Sequence, residues 1–140
     1  MTLRRMQELV RDQQPVMLPP TATVKAACAK MRERRVGAVL VVEAGQRLVG
    51  IFTGRDAVCR VLAEALDPAT TQIGQVMSST LHTVEPKHSA IDALRIMADC
   101  GVRHLPIVDK GRVVGIVSRA DFRGLEQARL DEESGLWDRL

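Results

Sequence analysis

Apolar residues along this chain recur in two rhythms that alternate, and the alternation itself repeats. After an extended stretch at 15–18, Val24, Ala27, Cys28 and Met31 fall at the three- and four-residue spacing of one helix face. Thr23 stands just before them, placed to cap that helix. Two near-continuous apolar runs follow, 38–42 and 48–52, separated by a turn containing Gly45, which is the pattern of a β-hairpin. Runs that apolar predict strands buried on both faces. A second helix is predicted to start at Thr53.

The same order returns about 66 positions later. An extended piece at 81–84 leads to a helix capped by Ser89, in which Ile91, Leu94, Arg95 and Ala98 keep the spacing less purely, with Ala90, Ala93 and Met97 beside them. Strands at 105–108 and 113–117 flank Gly111, and a helix is predicted from Ser118. In this register Pro20 meets Pro86, Ala27 meets Ala93, Met31 meets Met97, Val42 meets Val108 and Gly45 meets Gly111. After a one-residue difference in the turn, Gly50-Ile51 meets Gly115-Ile116, Thr53 meets Ser118 and Asp56 meets Asp121. The matches fall on turns, core faces and helix starts. The joint, Asp67-Pro68-Ala69-Thr70-Thr71, is rich in turn formers and too short to let the halves move independently. One repeat alone could not bury its sheet, so the pair is expected to fold together.

Composition narrows the function. A chain of 140 residues, 46% hydrophobic and 26% charged, is long enough for one ordinary globular core. No apolar run reaches the length of a membrane span and the start carries no signal-peptide stretch, so a cytoplasmic location is expected. The net charge of +3 suits an anionic ligand, but only 2% of residues are aromatic, which argues against stacking on single-stranded nucleic acid. Cys28, Cys59 and Cys100 form no paired motif, and Cys28 and Cys100 read as small buried hydrophobes in helices. His82 and His88 lack metal-ligand spacing. No P-loop, Rossmann fingerprint or nucleophile–base pattern is present, so the chain reads as a binding module without catalytic residues or a required cofactor.

Both halves end on Gly-hydrophobic-x-[Thr/Ser]-x-x-Asp, as Gly50-Ile51-Phe52-Thr53-Gly54-Arg55-Asp56 and Gly115-Ile116-Val117-Ser118-Arg119-Ala120-Asp121. This puts a hydroxyl and a carboxylate at a helix start. Backbone N–H groups and the helix dipole there favour phosphate, and a carboxylate can accept both vicinal hydroxyls of a ribose. The same spacing also makes a capping box, which a helix start uses for its own sake. The residues alone leave both readings open.

These endings, the β-α-β-β-α repeat, the turn Asp109-Lys110-Gly111-Arg112 and the stretch Val102-Arg103-His104-Leu105-Pro106-Ile107-Val108 resemble a cystathionine β-synthase (CBS) domain pair, or Bateman module. The resemblance implies an α/β (α+β) fold of tandem repeats related by a pseudo-twofold axis, with repeats at 10–66 and 73–127 and a tail at 128–140. It also implies a regulatory role with an adenine nucleotide or related adenosyl compound as ligand, in two composite clefts. The first would combine Thr53, Arg55 and Asp56 with His82, Val102, Arg103 and His104. The second would combine Ile116, Ser118, Ala120 and Asp121 with Val16, Val36, Gly37 and Ala38. Because Arg103-His104 stands where the first copy has Gly37-Ala38, the first cleft is expected to favour multiply phosphorylated ligands. Apolar residues on the helices after Thr53 (Val58, Val61, Leu62, Leu66) and after Ser118 (Phe122, Leu125, Leu130) predict a homodimer, with a further protein target possible in principle. The competing reading is a ligand-independent dimerisation or partner-binding module in which both motifs are caps only.

Overall fold

The computed structural model describes residues 4–122. In chain order the elements are α1 (Met6–Leu9), β1 (Met17–Leu18), α2 (Val24–Arg34), β2 (Ala38–Glu43), β3 (Arg47–Thr53), α3 (Gly54–Asp56, running on into wide turns over Ala57–Leu62), α4 (Ile73–Val76), α5 (Ala90–Cys100), β4 (His104–Asp109) and β5 (Arg112–Ser118). They form two compact units that are not consecutive halves of the chain. One takes 14–81 with 111–113; the other takes the chain up to Gln13, 82–110 and the described residues from Val114.

In the first-copy unit, β1 runs parallel to β2 with Met17 opposite Leu40, and β2 pairs antiparallel with β3 from Ala38–Thr53 to Glu43–Arg47. The hairpin turn closes on Gly45 and Gln46, both at positive φ (+76° and +60°), a conformation glycine adopts without the Cβ clash. The Thr23 hydroxyl accepts the Ala26 N–H at 3.1 Å, so the expected cap of α2 forms. Val24, Ala27 and Met31 of α2 then meet Val39, Val41, Phe52, Val61, Ile73 and Val76 in one core. Phe52 is completely buried, worth roughly 1.5–3 kcal/mol for a side chain of that size.

The second-copy unit repeats this plan. The Ser89 hydroxyl accepts the Asp92 N–H at 3.2 Å, and Asp92 accepts the Ser89 N–H at 3.3 Å. Ala90, Ala93, Leu94 and Met97 of α5 pack with Leu105, Ile107 and Val117, while Val84 bridges Ile107 in parallel. α5 ends on Gly101 at φ +67°, where α2 ends on Arg35 at φ +55°. The same left-handed stop is made once by the residue suited to it and once by one that is not.

The two short helices were not legible in the pattern, since four residues cannot display a period. Each docks on the unit of the other copy. Ile73 and Gly74 at the start of α4 donate to the Ala22 and Pro20 carbonyls (2.8 and 2.9 Å), and Val24 donates back to Thr71 (2.8 Å). At the start of α1, Met6 and Gln7 donate to the His88 and Pro86 carbonyls (2.9 and 2.8 Å), and Ala90 donates back to Arg4 (2.7 Å). Met6 and Val10 thereby complete the second-copy core, as Ile73 and Val76 complete the first.

Three expectations are corrected. Burial on both faces holds for Ala38 to Val41 and for Leu105 to Ile107, but β3 and β5 alternate, and Val114 is exposed. Their apolar runs carry one-sided strands. The helix expected from Ser118 is, as far as Phe122, a single 3-10 turn over Arg119–Asp121, after which Phe122 is extended and packs on the core; Leu125 and Leu130 lie outside the described residues. Cys100, expected to be buried, is exposed at the last position of α5, whereas Cys28 is partly buried against the first core and burial pushes its thiol up.

Candidate functional site

The two signature glycines show what the motif needs first. A Cβ on Gly50 would collide with the Met77 sulfur, and one on Gly115 would stand 2.7 Å from the Val10 Cβ. Each glycine lets the segment after a docked helix lie across the strand that ends in the hydroxyl. In the first unit that segment pairs by backbone, Ile51 N–H to Ser78 at 3.0 Å and Ser78 N–H to Ile51 at 2.9 Å. In the second, the Gln13 side chain does the same work: its Oε1 accepts the Ile116 N–H at 2.6 Å and its Nε2 donates to the Ile116 carbonyl at 2.8 Å.

The strands so held deliver two similar turns. In the first, Asp56 Oδ2 accepts the Thr53 N–H at 3.0 Å and the Thr53 hydroxyl accepts the Asp56 N–H at 3.2 Å. In the second, Asp121 Oδ2 accepts the Ser118 N–H at 2.7 Å and the Ser118 hydroxyl donates to the same oxygen at 3.3 Å. Both motifs therefore act as caps. That use spends one oxygen of each carboxylate, and a carboxylate has about four acceptor positions. Capping and ribose binding are compatible at one aspartate.

Each turn is also fastened to the segment before β2 or β4 of its own copy. Gly54 N–H donates to the Gly37 carbonyl at 3.0 Å, and Arg119 N–H donates to the Arg103 carbonyl at 3.2 Å. Within each compact unit the candidate residues present are those of one copy. Thr53, Arg55 and Asp56 share a unit with Val16, Val36, Gly37 and Ala38; Ile116, Ser118, Ala120 and Asp121 share one with His82, Val102, Arg103 and His104. Val16 and Ala38 are buried, Val36, Gly37 and Arg55 are exposed, and Asp56 is half-buried. In the other unit Arg103, Ala120 and Asp121 are exposed, and His82, Val102, His104, Ile116 and Ser118 are half-buried. Burial holds the His104 imidazole below the ordinary histidine range; Asp121 nearby works against this and Arg103 adds to it.

Two participants were missed. Arg60 places its Nε 3.6 Å from Asp56 Oδ1 and donates from Nη1 to the Met77 carbonyl at 3.1 Å. Its i,i+4 spacing from Asp56 was a usable signal. Gln13 carried none, because its role depends on where the chain before the repeat docks. No group of three or more His, Cys, Asp or Glu side chains that could hold a metal occurs among the described residues. No helix among them is long and apolar enough to cross a membrane.

Known proteins share this repeat and fold. The family model for the CBS domain matches twice, at residues 7–62 and 73–126. The uncharacterized protein MK0525 of Methanopyrus kandleri is 36% identical over 118 residues, 81% of this chain, which spans 60% of that protein's length. The CBS domain-containing protein YhcV of Bacillus subtilis is 39% identical over 109 residues, 78% of this chain and 76% of its own. Among solved structures, the CBS domain protein PAE2072 from Pyrobaculum aerophilum, complexed with AMP, superposes with a TM-score of 0.81 at 28% identity, covering 92% of this chain and 99% of that one. The repeat, the doubled glycine-to-aspartate turns and these matches together show that the chain belongs to the CBS domain family, as a tandem pair.

Proposed function

We propose that the protein is a regulatory module that binds an adenosyl ligand (AMP, ADP, ATP or a relative of these) at its two hydroxyl–carboxylate turns and performs no chemistry on it. The observation that carries this reading is the doubled turn, each copy fastening Thr53 to Asp56 or Ser118 to Asp121 against its own Gly37 or Arg103. The free carboxylate positions suit ribose hydroxyls, the turn's amides and dipole suit phosphate, and the AMP bound to the similarly folded PAE2072 is a ligand of that chemistry. Val36, Gly37 and Ala38 in one unit, and His82, Val102, Arg103 and His104 in the other, are the proposed surroundings of the base and phosphate. The Arg119 N–H bonds the Arg103 carbonyl and His104 feels the charge of Asp121, so the proposal extends the preference for several phosphates, expected at the first cleft, to the second-copy turn.

Native mass spectrometry of the purified protein, followed by a thermal-shift screen against AMP, ADP, ATP and S-adenosylmethionine, tests the reading. A ligand binding only the native state at 100 times its dissociation constant adds about 2.7 kcal/mol. A screen in which nothing shifts the transition supports the second reading, a ligand-independent dimerisation module. The closed Thr53–Asp56 capping box and the exposed Val58 (56%) and Leu62 (72%) of α3 favour that alternative. Incubation with ATP is expected to return ATP unchanged.

A further inference from the structure

We infer that Arg60 is a positioning residue that ties the Asp56 carboxylate to the end of α4, so that a ligand drawn to Asp56 also loads the segment leading towards the second copy. The ligand half of this rests on the function proposed above; the tie itself rests on geometry. An arginine that is half exposed has water as its easy alternative. Arg60 instead spans two elements, with Nε 3.6 Å from Asp56 Oδ1 and Nη1 at 3.1 Å from the Met77 carbonyl and 3.5 Å from that of Val76. Those carbonyls close α4, where helix acceptors lack internal donors and a cation is favoured. A planar guanidinium with several fixed N–H groups can serve both ends at once; an ammonium cannot do so in the same geometry.

The tied segment is itself latched to the strand that ends in the site. Met77 lies over Gly50, and Ser78 exchanges two backbone hydrogen bonds with Ile51 of β3, two residues before Thr53. A closed path results: Asp56 to Arg60, to the Met77 carbonyl, through Ser78 to Ile51, and along β3 to Thr53. Ribose hydroxyls donating to Asp56 fix its carboxylate in place, and the guanidinium anchored on it is held in turn against the Val76 and Met77 carbonyls. The second copy has Leu125 four residues after Asp121, so this coupling belongs to the first copy's sequence alone.

The experiment is hydrogen exchange at the Met77 and Ser78 amides, which are held by the Ile73 and Ile51 carbonyls. It is run on wild type, Arg60→Met, Asp56→Asn and the double variant. Without ligand, each single variant is expected to speed exchange about fivefold, and the double variant to add nothing beyond the larger single effect. Unchanged rates in Arg60→Met, or additive effects in the double variant, overturn the tie. With saturating AMP, wild-type exchange at these amides is expected to slow, while Arg60→Met still binds AMP but shows no slowing. Slowing retained in Arg60→Met overturns the coupling. If wild type binds none of the adenosyl compounds, the proposed function and the ligand half fall together, and the ligand-free cycle still decides whether Arg60 makes the tie.

Discussion

Gly50 and Gly115 look interchangeable in the alignment of the two copies, yet they meet different neighbours. The atom that would collide with a Cβ at Gly50 is the sulfur of Met77, near the end of a flexible side chain. At Gly115 it is the Cβ of Val10, a buried residue with little room to yield, together with the Gln13 amide that pairs β5. Gly115→Ala is expected to cost about 1–3 kcal/mol and Gly50→Ala clearly less, as read by urea denaturation. Equal costs would mean that the segments after α1 and α4 are held alike. The need for glycine was legible from the motif; what each glycine makes room for was not, because both neighbours come from segments whose docking the sequence pattern does not encode.

At the scale of elements, the repeat register located both helices α2 and α5, both hairpins and both turns, because their periods and caps are long enough to read. It misjudged β3 and β5, whose apolar runs look buried on both faces although Val114 is exposed, and it could not see α1 or α4. The hydrogen bond between Arg119 and Arg103, a tie that no periodicity encodes, sets Arg103 and His104 beside the second-copy turn. The turn they join makes the second copy's response to pH distinctive. His104 has a lowered folded pKa, so the unfolded chain binds more protons than the fold between that value and the ordinary histidine value near 6.5. Stability contributed through His104 is therefore lowest below the folded pKa and rises with pH through that window. His104→Gln is expected to remove this part of the pH dependence of the melting temperature below the ordinary histidine value near 6.5. An unchanged profile would show that His104 is not the titrating group. A phosphate beside the imidazole favours its charged form, so ATP affinity is expected to rise as pH falls through the same range, and not in His104→Gln.

For the whole molecule, self-association is the property that the apolar face of α3 bears on. Val58 and Leu62 remain exposed at 56% and 72%, and Leu66, beyond the end of the helical turns, at 41%, while Val61 is buried in the core. Two large apolar side chains exposed four residues apart on one helical segment are more than isolated exposure requires. The protein is expected to sediment as a homodimer at tens of micromolar, with Leu62→Asp shifting it to monomer without unfolding it. A monomeric wild type would remove the dimer from this account and leave the turns untouched.

The doubled turn as a ligand site is the central claim, and calorimetry with AMP on wild type, Asp56→Ala and Asp121→Ala tests it most directly. Each aspartate is expected to govern its own site, so each variant loses one binding event and the double variant loses both. Losing hydrogen bonds to a carboxylate corresponds to roughly 1.5–3 kcal/mol, a tenfold to hundredfold fall in affinity at the altered turn. Repeating the titration with ATP is expected to show the greater loss in Asp121→Ala, the turn beside Arg103 and His104. Binding in both variants indistinguishable from wild type, with the proteins still folded, would contradict the account and leave Asp56 and Asp121 as helix caps alone.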